Sequence, residues 1–138
     1  KRAAEIAQAW EFIQDKEDGM DSAIAQGGSN VSGGQKQRLS IARAIAKEPE
    51  IYIFDDSFSA LDYKTDVVLR RALKKETKDA TTLIVAQRIS TILHADKILV
   101  LDEGKVVGQG THKELLKSCD VYRQIAMSQL SEEELADE

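Results

Sequence analysis

Two glycines and two carboxylates are the residues of this chain whose types and surroundings best suit chemistry on a ligand. Gly33 and Gly34 open a stretch with helical periodicity, and Asp55 and Asp56 follow the apolar run Ile51–Phe54. The exposed amides of a helix N-terminus can bind a phosphate group. A carboxylate at the carboxyl end of a buried strand can bind Mg²⁺, in this case Asp55 through a water molecule. Neither pair is decisive alone, but together they indicate nucleotide chemistry.

Both pairs also have a purely structural interpretation. Ser32 and Gln35 have the spacing of a capping box, in which the two side chains satisfy backbone amides at the start of a helix. Two adjacent glycines are harder to explain in this way, because each costs about 1 kcal/mol relative to alanine in a helix. Their benefit would be close approach of the backbone to a ligand. The two carboxylates, for their part, could simply cap a helix or close a turn.

The surrounding elements are predicted to be of the α/β class. A helix follows the glycines through Leu39, Ala42, Ile45 and Ala46 and stops before Pro49. The run Ile51–Phe54 is too short for a helix and suits a parallel strand buried on both faces, with the next buried strand at residues 81–86. Residues 2–16 are predicted to form one amphipathic helix, since apolar residues recur at spacings of three and four: Ala3, Ile6, Ala7, Trp10 and Ile13.

The remainder of the chain predicts further helices and a hairpin. Asp62 should cap a helix whose apolar face contains Val68, Leu69, Ala72 and Leu73. Residues 97–107 read as a hairpin in which Asp102 and Glu103 are turn acids. A second capping box runs from Thr111 to Glu114. A terminal helix at residues 121–130 should pack through Val121, Tyr122 and Ile125.

The composition is that of a soluble globular domain, with 42% hydrophobic and 31% charged residues. No apolar run approaches the roughly 20 residues of a membrane span. The net charge is −5, and because five acids fall within Ser131–Glu138, we predict a solvated acidic tail there and no nucleic-acid partner.

The single Cys119 cannot form an intrachain disulfide, which suits a reducing compartment. His94 and His112 lack metal-ligating neighbours at a suitable spacing.

Several motifs, in order along the chain, resemble the nucleotide-binding domain of an ABC transporter of the exporter or multidrug type. Val31-Ser32-Gly33-Gly34-Gln35 resembles the family signature, residues 51–55 resemble the Walker B strand, and Ser59-Ala60-Leu61-Asp62 resembles the D-loop. Residues 84–88 stand where the switch-histidine segment belongs. Residues 100–105 and 110–116 are similar to the closing segment of the exporter branch.

The chain departs from the family pattern at three positions. Asp56 replaces the catalytic glutamate that follows the Walker B aspartate, and Gln87 replaces the switch histidine. Gln26 replaces an acidic residue in the loop before the signature. These departures resemble the degenerate subunit of a heterodimeric exporter, which holds ATP but hydrolyses it slowly.

The resemblance implies a set of roles. Ser32, Gly33, Gly34 and Gln35 would bind the γ-phosphate of an ATP molecule held by a partner subunit. Asp55 would bind Mg²⁺, Asp56 and Gln87 would be the catalytic positions of the chain's own site, and residues 59–62 would form a subunit interface. The implied partners are a second nucleotide-binding domain, in a heterodimer, and the transmembrane domain of the same transporter. The location implied is the cytoplasmic face of the cell membrane.

The expected architecture is a partial RecA-like P-loop NTPase fold, a parallel sheet with flanking helices, joined to a remnant of the helical subdomain. We predict the helical remnant at 1–48, the ATPase core at 49–130 and the tail at 131–138. No Gly-x-x-x-x-Gly-Lys-Ser/Thr sequence occurs, so we expect a fragment that does not hydrolyse ATP efficiently by itself.

Two alternatives stay open, a regulatory ATP-binding module without turnover and a soluble ATPase of the DNA-repair type. The exporter-like ending argues against the second of these.

Overall fold

The structure is a computed structural model that describes residues 1–130 and forms two compact units, one from Lys1 to Val85 and one that begins at Ala86. The predicted acidic tail lies outside the described residues. The first unit contains α1 Arg2–Ile6, α2 Trp10–Gln14, α3 Gly33–Ala46, β1 Ile51–Asp55, α4 Tyr63–Glu76 and β2 Thr81–Val85, with 3₁₀ turns at Gly19–Asp21 and Gln26–Gly28. The described part of the second unit contains α5 Ile89–Ile92, β3 Ile98–Asp102, β4 Lys105–Gly110, α6 His112–Ser118 and α7 Asp120–Gln129.

The two strands of the first unit pair in parallel, with α4 as the connection between them. Ile51 lies opposite Thr81, and Asp55 lies opposite Val85. Parallel neighbours require a crossover connection of this kind. The α/β class, with a parallel sheet and flanking helices, is therefore confirmed.

The prediction that these strands are buried on both faces is wrong for the described unit. On β1, Tyr52 and Phe54 are buried, whereas Ile51 and Ile53 are 60% and 66% exposed. On β2, Leu83 is 52% exposed. Only one face of β1 packs against the helices of this unit, so its residues alternate between a covered and an uncovered side, and on β2 only Ile84 is half-buried.

The prediction of one helix across residues 2–16 is also wrong. α1 and α2 are separated by Gln8, which has a left-handed φ of +57°. The flanking Ala7 and Ala9 are fully buried, and the Gln8 carbonyl accepts a hydrogen bond of 2.7 Å from Arg38 on α3. This tertiary contact and the close packing of the alanines override the helical periodicity of the sequence.

The core of the first unit lies between its helices and β1. Ile41 and Ile45 on α3 are each 1% exposed. The predicted helical run through Leu39, Ala42, Ile45 and Ala46 is confirmed, although Ala46 itself is exposed. α3 does end before Pro49, as predicted.

The helix after Asp62 follows the prediction at two of its four apolar positions. Leu69 and Leu73 are buried in the core, and Ala72 is half-buried. Val68 is 42% exposed and lies on the outer side of the helix. The apolar face is therefore narrower than the four residues suggested.

One hydrophobic core joins α1–α3 to β1, and the first compact unit therefore continues past residue 48. The predicted boundary between the helical remnant and the ATPase core, at residues 48–49, falls inside this unit. The division into 1–48 and 49–130 follows from the family resemblance and stays a prediction. Within residues 1–130, none of the helices is both long and apolar enough to cross a bilayer.

In the second unit, β3 and β4 form the predicted antiparallel hairpin, with Asp102 opposite Lys105. Glu103 and Gly104 occupy its turn with φ values of +46° and +75°. Positive φ at both central residues is the geometry of a type I′ turn, which matches the twist of the strands. The hairpin and the position of its turn are confirmed.

The helices of the second unit pack around Tyr122, which is 1% exposed. Its hydroxyl lies 2.7 Å from Nδ1 of the buried His112 at the start of α6. Ala126 is also fully buried, whereas Ile125 is 37% exposed. The predicted packing face of the terminal helix is thus correct at Tyr122 and wrong at Ile125.

The caps predicted at Asp62 and Thr111 both form. Asp62 accepts hydrogen bonds from the amide of Thr65 at 2.9 Å and from its hydroxyl at 2.7 Å. These bonds hold the pKa of the Asp62 carboxyl below its ordinary value. Thr111 and Glu114 complete a capping box, and the Thr111 amide and hydroxyl lower the pKa of Glu114 in the same way.

Truncation of Leu69 tests the assignment of the inner face of α4. Leu69→Ala should lower the free energy of unfolding by roughly 2–5 kcal/mol, because it removes a fully buried side chain and leaves a cavity. The neighbouring exposed Val68→Ala is the control and should change stability by less than about 0.5 kcal/mol. Urea unfolding of the two variants provides the measurement, and equal losses would contradict the assignment.

The Asp62 cap predicts a pH-dependent contribution to stability. Its pKa is lower in the folded than in the unfolded state, so the ionised cap stabilises the fold above the unfolded pKa of about 3.9 and this stability is lost as the pH falls through the folded value. The difference in unfolding free energy between the wild type and Asp62→Asn should be constant from about pH 7 to pH 5 and shrink below about pH 4. Urea unfolding across this range measures it. A difference independent of pH would rule out the ionised cap.

Candidate nucleotide-binding site

The N-terminus of α3 has the predicted capping box. Ser32 is the N-cap, and its hydroxyl oxygen accepts a hydrogen bond of 3.2 Å from the amide of Gln35. The side-chain oxygen of Gln35 accepts from the amide of Ser32 at 3.0 Å. The predicted capping box is therefore confirmed.

The box nevertheless leaves hydrogen-bond donors available. Both of its bonds use side-chain oxygens as acceptors, so the Ser32 hydroxyl proton and the Gln35 side-chain NH₂ are not consumed. The amides of Gly33 and Gly34 have no acceptor within the helix, because they belong to its first turn. Ser32 and Gly33 are exposed. The arrangement can therefore bind an anion at the positive end of the helix dipole.

The two glycines differ in what surrounds them. A Cβ on Gly34 would lie 3.0 Å from the carbonyl oxygen of Ala60, closer than side chains normally approach. A Cβ on Gly33 would lie 3.5 Å from the Cβ of Ala60, an ordinary contact. Gly34 is thus explained in part by a contact within the chain, whereas Gly33 has no such internal explanation.

The two carboxylates at the end of β1 occupy different settings. Asp55 is the last residue of the strand and is exposed. Asp56 follows with a left-handed φ of +47°, a conformation that short polar side chains tolerate best. Its amide donates to the Val85 carbonyl at 3.0 Å, and its carboxylate accepts from the Ser59 hydroxyl at 3.2 Å. Asp56 therefore acts as a turn acid.

The four D-loop residues have different surroundings. Leu61 is 6% exposed and belongs to the core, whereas Asp62 is exposed and caps α4. Ser59 and Ala60 are exposed beside the start of α3. Their role at a subunit interface stays a prediction.

A residue without a predicted role, Gln37, joins the signature helix to this loop. Its side chain is hydrogen bonded to the carbonyl of Asp56, the hydroxyl of Ser59 and the amide of Ala60. The sequence does contain a signal for this role of Gln37, because Gln37, Ile41 and Ile45 are spaced by four residues. A polar residue on an inward helical stripe indicates a hydrogen-bond partner inside the protein.

Gln87 belongs to the second unit, two residues after β2 ends. It is exposed, and its carbonyl accepts a hydrogen bond of 2.9 Å from the side chain of Gln129 on α7. Its catalytic role stays a prediction.

The basic residues after the signature have structural partners. Lys36 donates to the Gly27 carbonyl at 2.6 Å and so holds the loop that precedes the helix. Gln26 is exposed in that loop. Arg38 bonds to Gln8, and its guanidinium lies 4.8 Å from the centre of the Phe12 ring. Neither cation is simply solvated.

Residues of the first unit fit a nucleotide with magnesium. Residues 1–130 contain no group of three or more His, Cys, Asp or Glu side chains that could enclose a metal ion. Mg²⁺ is ordinarily held by one or two carboxylates together with substrate phosphates, so a single exposed Asp55 at the end of a strand is compatible with it. The donors at the start of α3 suit a phosphate.

The contrast between the two glycines gives a testable prediction. Gly33→Ala should raise the free energy of unfolding by up to about 1 kcal/mol, because alanine favours the helix and its methyl group has room. Gly34→Ala should be neutral or destabilising, since its methyl group would press on the Ala60 carbonyl. Urea unfolding compares the two variants, and equal effects would contradict the contact with Ala60.

Comparisons with known proteins show what the chain is similar to. Residues 1–59 match the family described as ABC transporter. The chain is 50% identical over 127 residues to an uncharacterized ABC transporter ATP-binding protein of Mycobacterium bovis, and 47% identical over 128 residues to an ATP-dependent lipid A-core flippase of Albidiferax ferrireducens. These alignments cover 92% and 93% of this chain, which spans 22% of the length of each relative.

A solved structure supports the same assignment. A bacterial Atm1-family ABC exporter with ATP bound superposes with a TM-score of 0.90 and 37% sequence identity. The match covers 95% of this chain and 23% of that one. The chain belongs to the ABC transporter family, and its fold is that of part of the ATP-binding domain of an exporter.

Proposed function

We propose that the full-length protein containing this chain binds and hydrolyses ATP and thereby drives export across a membrane, with this domain on the cytoplasmic face. The observation that carries the proposal is the start of α3, where the capping box leaves the donors of Ser32 and Gln35 and the first-turn amides free for a phosphate. Membership of the ABC transporter family makes ATP the expected ligand.

The signature is proposed to serve the partner's site. Ser32, Gly33, Gly34 and Gln35 would donate hydrogen bonds to the γ-phosphate of an ATP molecule held by a second nucleotide-binding domain. The internal packing of Gly34 leaves Gly33 as the position where close backbone approach to that phosphate is best supported. Asp55 would hold Mg²⁺, which would neutralise phosphate charge when bound.

The chain's own site is proposed to be slow. Asp56 is one methylene shorter than glutamate, and a displacement of about 1 Å at a reacting centre can cost on the order of 10²-fold in rate. The hydrogen bond from Ser59 supports this, because it holds the carboxylate within its own turn. Gln87 can donate a hydrogen bond but cannot carry the positive charge that a histidine would bring to the γ-phosphate. The two changes together favour a degenerate half-site.

This assignment implies a heterodimer. A slow site on one subunit is useful only if the partner supplies a fast one, and the intact signature of this chain would complete that fast site. A transmembrane domain of the same transporter would convert closure of the two domains into export, as the exporter names of the relatives suggest. The 138-residue chain by itself contains no P-loop sequence, so we expect it not to hydrolyse ATP efficiently.

Restoration of the two family residues tests the proposal. In the full-length transporter, with the P-loop lysine of the partner subunit replaced to silence its site, Asp56→Glu combined with Gln87→His should raise ATP hydrolysis at the remaining site on the order of 10²-fold. Steady-state release of phosphate gives the rate, and vanadate-trapped ADP identifies the site that turned over.

The matched control makes the same two changes elsewhere. Asp102→Glu with Gln109→His alters exposed positions of the β3–β4 hairpin and should leave the rate unchanged. Equal hydrolysis at both sites of the wild type would refute the degenerate site. ATP binding without turnover at either site would instead support the regulatory module.

A further inference from the structure

We propose that Gln37 is a positioning residue of this ATPase, which fixes the backbone around Asp56 relative to the signature helix. The inference rests on the proposed function, because it concerns the rate at which the chain's own site hydrolyses ATP. It also assigns a role to a side chain outside the signature, Walker B and D-loop motifs.

Both the nitrogen and the oxygen of the Gln37 side-chain amide form hydrogen bonds. Its Nε2 lies 3.0 Å from the Asp56 carbonyl oxygen and 3.0 Å from the Ser59 hydroxyl. Its Oε1 accepts from the amide of Ala60 at 2.9 Å. A flipped amide would place its NH₂ against the Ala60 N–H, so the three bonds together define one orientation of the group.

These bonds complete the restraint on Asp56. The amide of Asp56 is held by the Val85 carbonyl of β2 at 3.0 Å, and its own carbonyl is held by Gln37. A left-handed aspartate persists only when its surroundings hold it there. Ser59 contacts both the Gln37 amide and the Asp56 carboxylate, so the direction of the carboxylate depends on the same group.

The place of Gln37 on α3 argues against a packing role. It continues the stripe of Ile41 and Ile45, each 1% exposed, at a spacing of four residues. An apolar side chain at such a position would add hydrophobic contact. A glutamine there is instead explained by the loop groups that it satisfies.

The same side chain links two candidate phosphate-handling regions. The turn of α3 that precedes Gln37 contains the capping box and both signature glycines. The loop on its other side contains Asp56 and the D-loop residues. Because the signature is proposed to serve the partner's ATP and Asp56 the chain's own, Gln37 connects the two half-sites mechanically.

Two substitutions in the full-length transporter separate these contributions. Gln37→Met keeps a similar size but removes all three hydrogen bonds. Gln37→Glu retains an acceptor for the Ala60 amide but cannot donate to the Asp56 carbonyl or to Ser59. The control is Gln124→Met, the same change at an exposed position of α7.

The measurements are single-turnover ATP hydrolysis with the partner's site silenced, the Kd for ATP, and hydrogen–deuterium exchange of peptides spanning residues 56–61. Gln37→Met should lower the hydrolysis rate at least tenfold, change the Kd less than twofold and accelerate exchange at the Ala60 amide. Gln37→Glu should also lower the rate while the Ala60 amide stays protected. Should Gln37→Met fail to assemble, Gln37→Glu carries the test.

The outcomes separate this inference from the proposed function. If the wild type hydrolyses ATP and Gln37→Met accelerates exchange without lowering the rate, the inference is overturned and the proposed function stands. Unchanged exchange in Gln37→Met would overturn the inference as well. A wild type without turnover at either site would overturn both, and the exchange data would still report whether the hydrogen bonds exist.

Discussion

The first turn of α3 must satisfy its own backbone and still offer donors to a ligand. The reciprocal bonds between Ser32 and Gln35 meet the first demand with side-chain oxygens alone. The hydroxyl proton, the side-chain NH₂ and the first-turn amides meet the second. A capping side chain without a spare donor could start the helix, but it would leave only the backbone amides to bind a phosphate. Most of the candidate site is arranged around this constraint.

The end of β1 shows how the loop beside that turn is held. Asp56 takes a left-handed conformation that its amide bond to Val85 and its carbonyl bond to Gln37 maintain. Gly34 allows the helix to approach the Ala60 carbonyl from the other side. The signature turn and the loop after the strand therefore form one connected structure, in which a glycine and a glutamine supply the contacts between them.

Surface and core are distributed unevenly in the first unit. The helices cover one side of the parallel strands, where Tyr52 and Phe54 are buried, and leave the side of Ile51 and Ile53 uncovered. Exposed apolar strand residues of this kind are expected to favour association with other apolar surfaces. The continuous apolar run in the sequence therefore shows that both faces of β1 are suited to burial, but the helices of this unit bury only one of them.

Local interactions made much of this protein predictable from its sequence: the caps at Ser32, Asp62 and Thr111, the stop before Pro49 and the turn at Gly104 all act within a few residues. The α/β class followed in the same way from short apolar runs between helical patterns. Only the tertiary structure decided the break at Gln8 and the bonds of Gln37, because each depends on a partner far along the chain. The carbonyl of Gln8 bonds to Arg38, 30 residues away, and Gln37 reaches Ala60 across 23 residues. Periodicity indicates which side of an element is apolar, but it does not identify the polar group that will lie opposite that element.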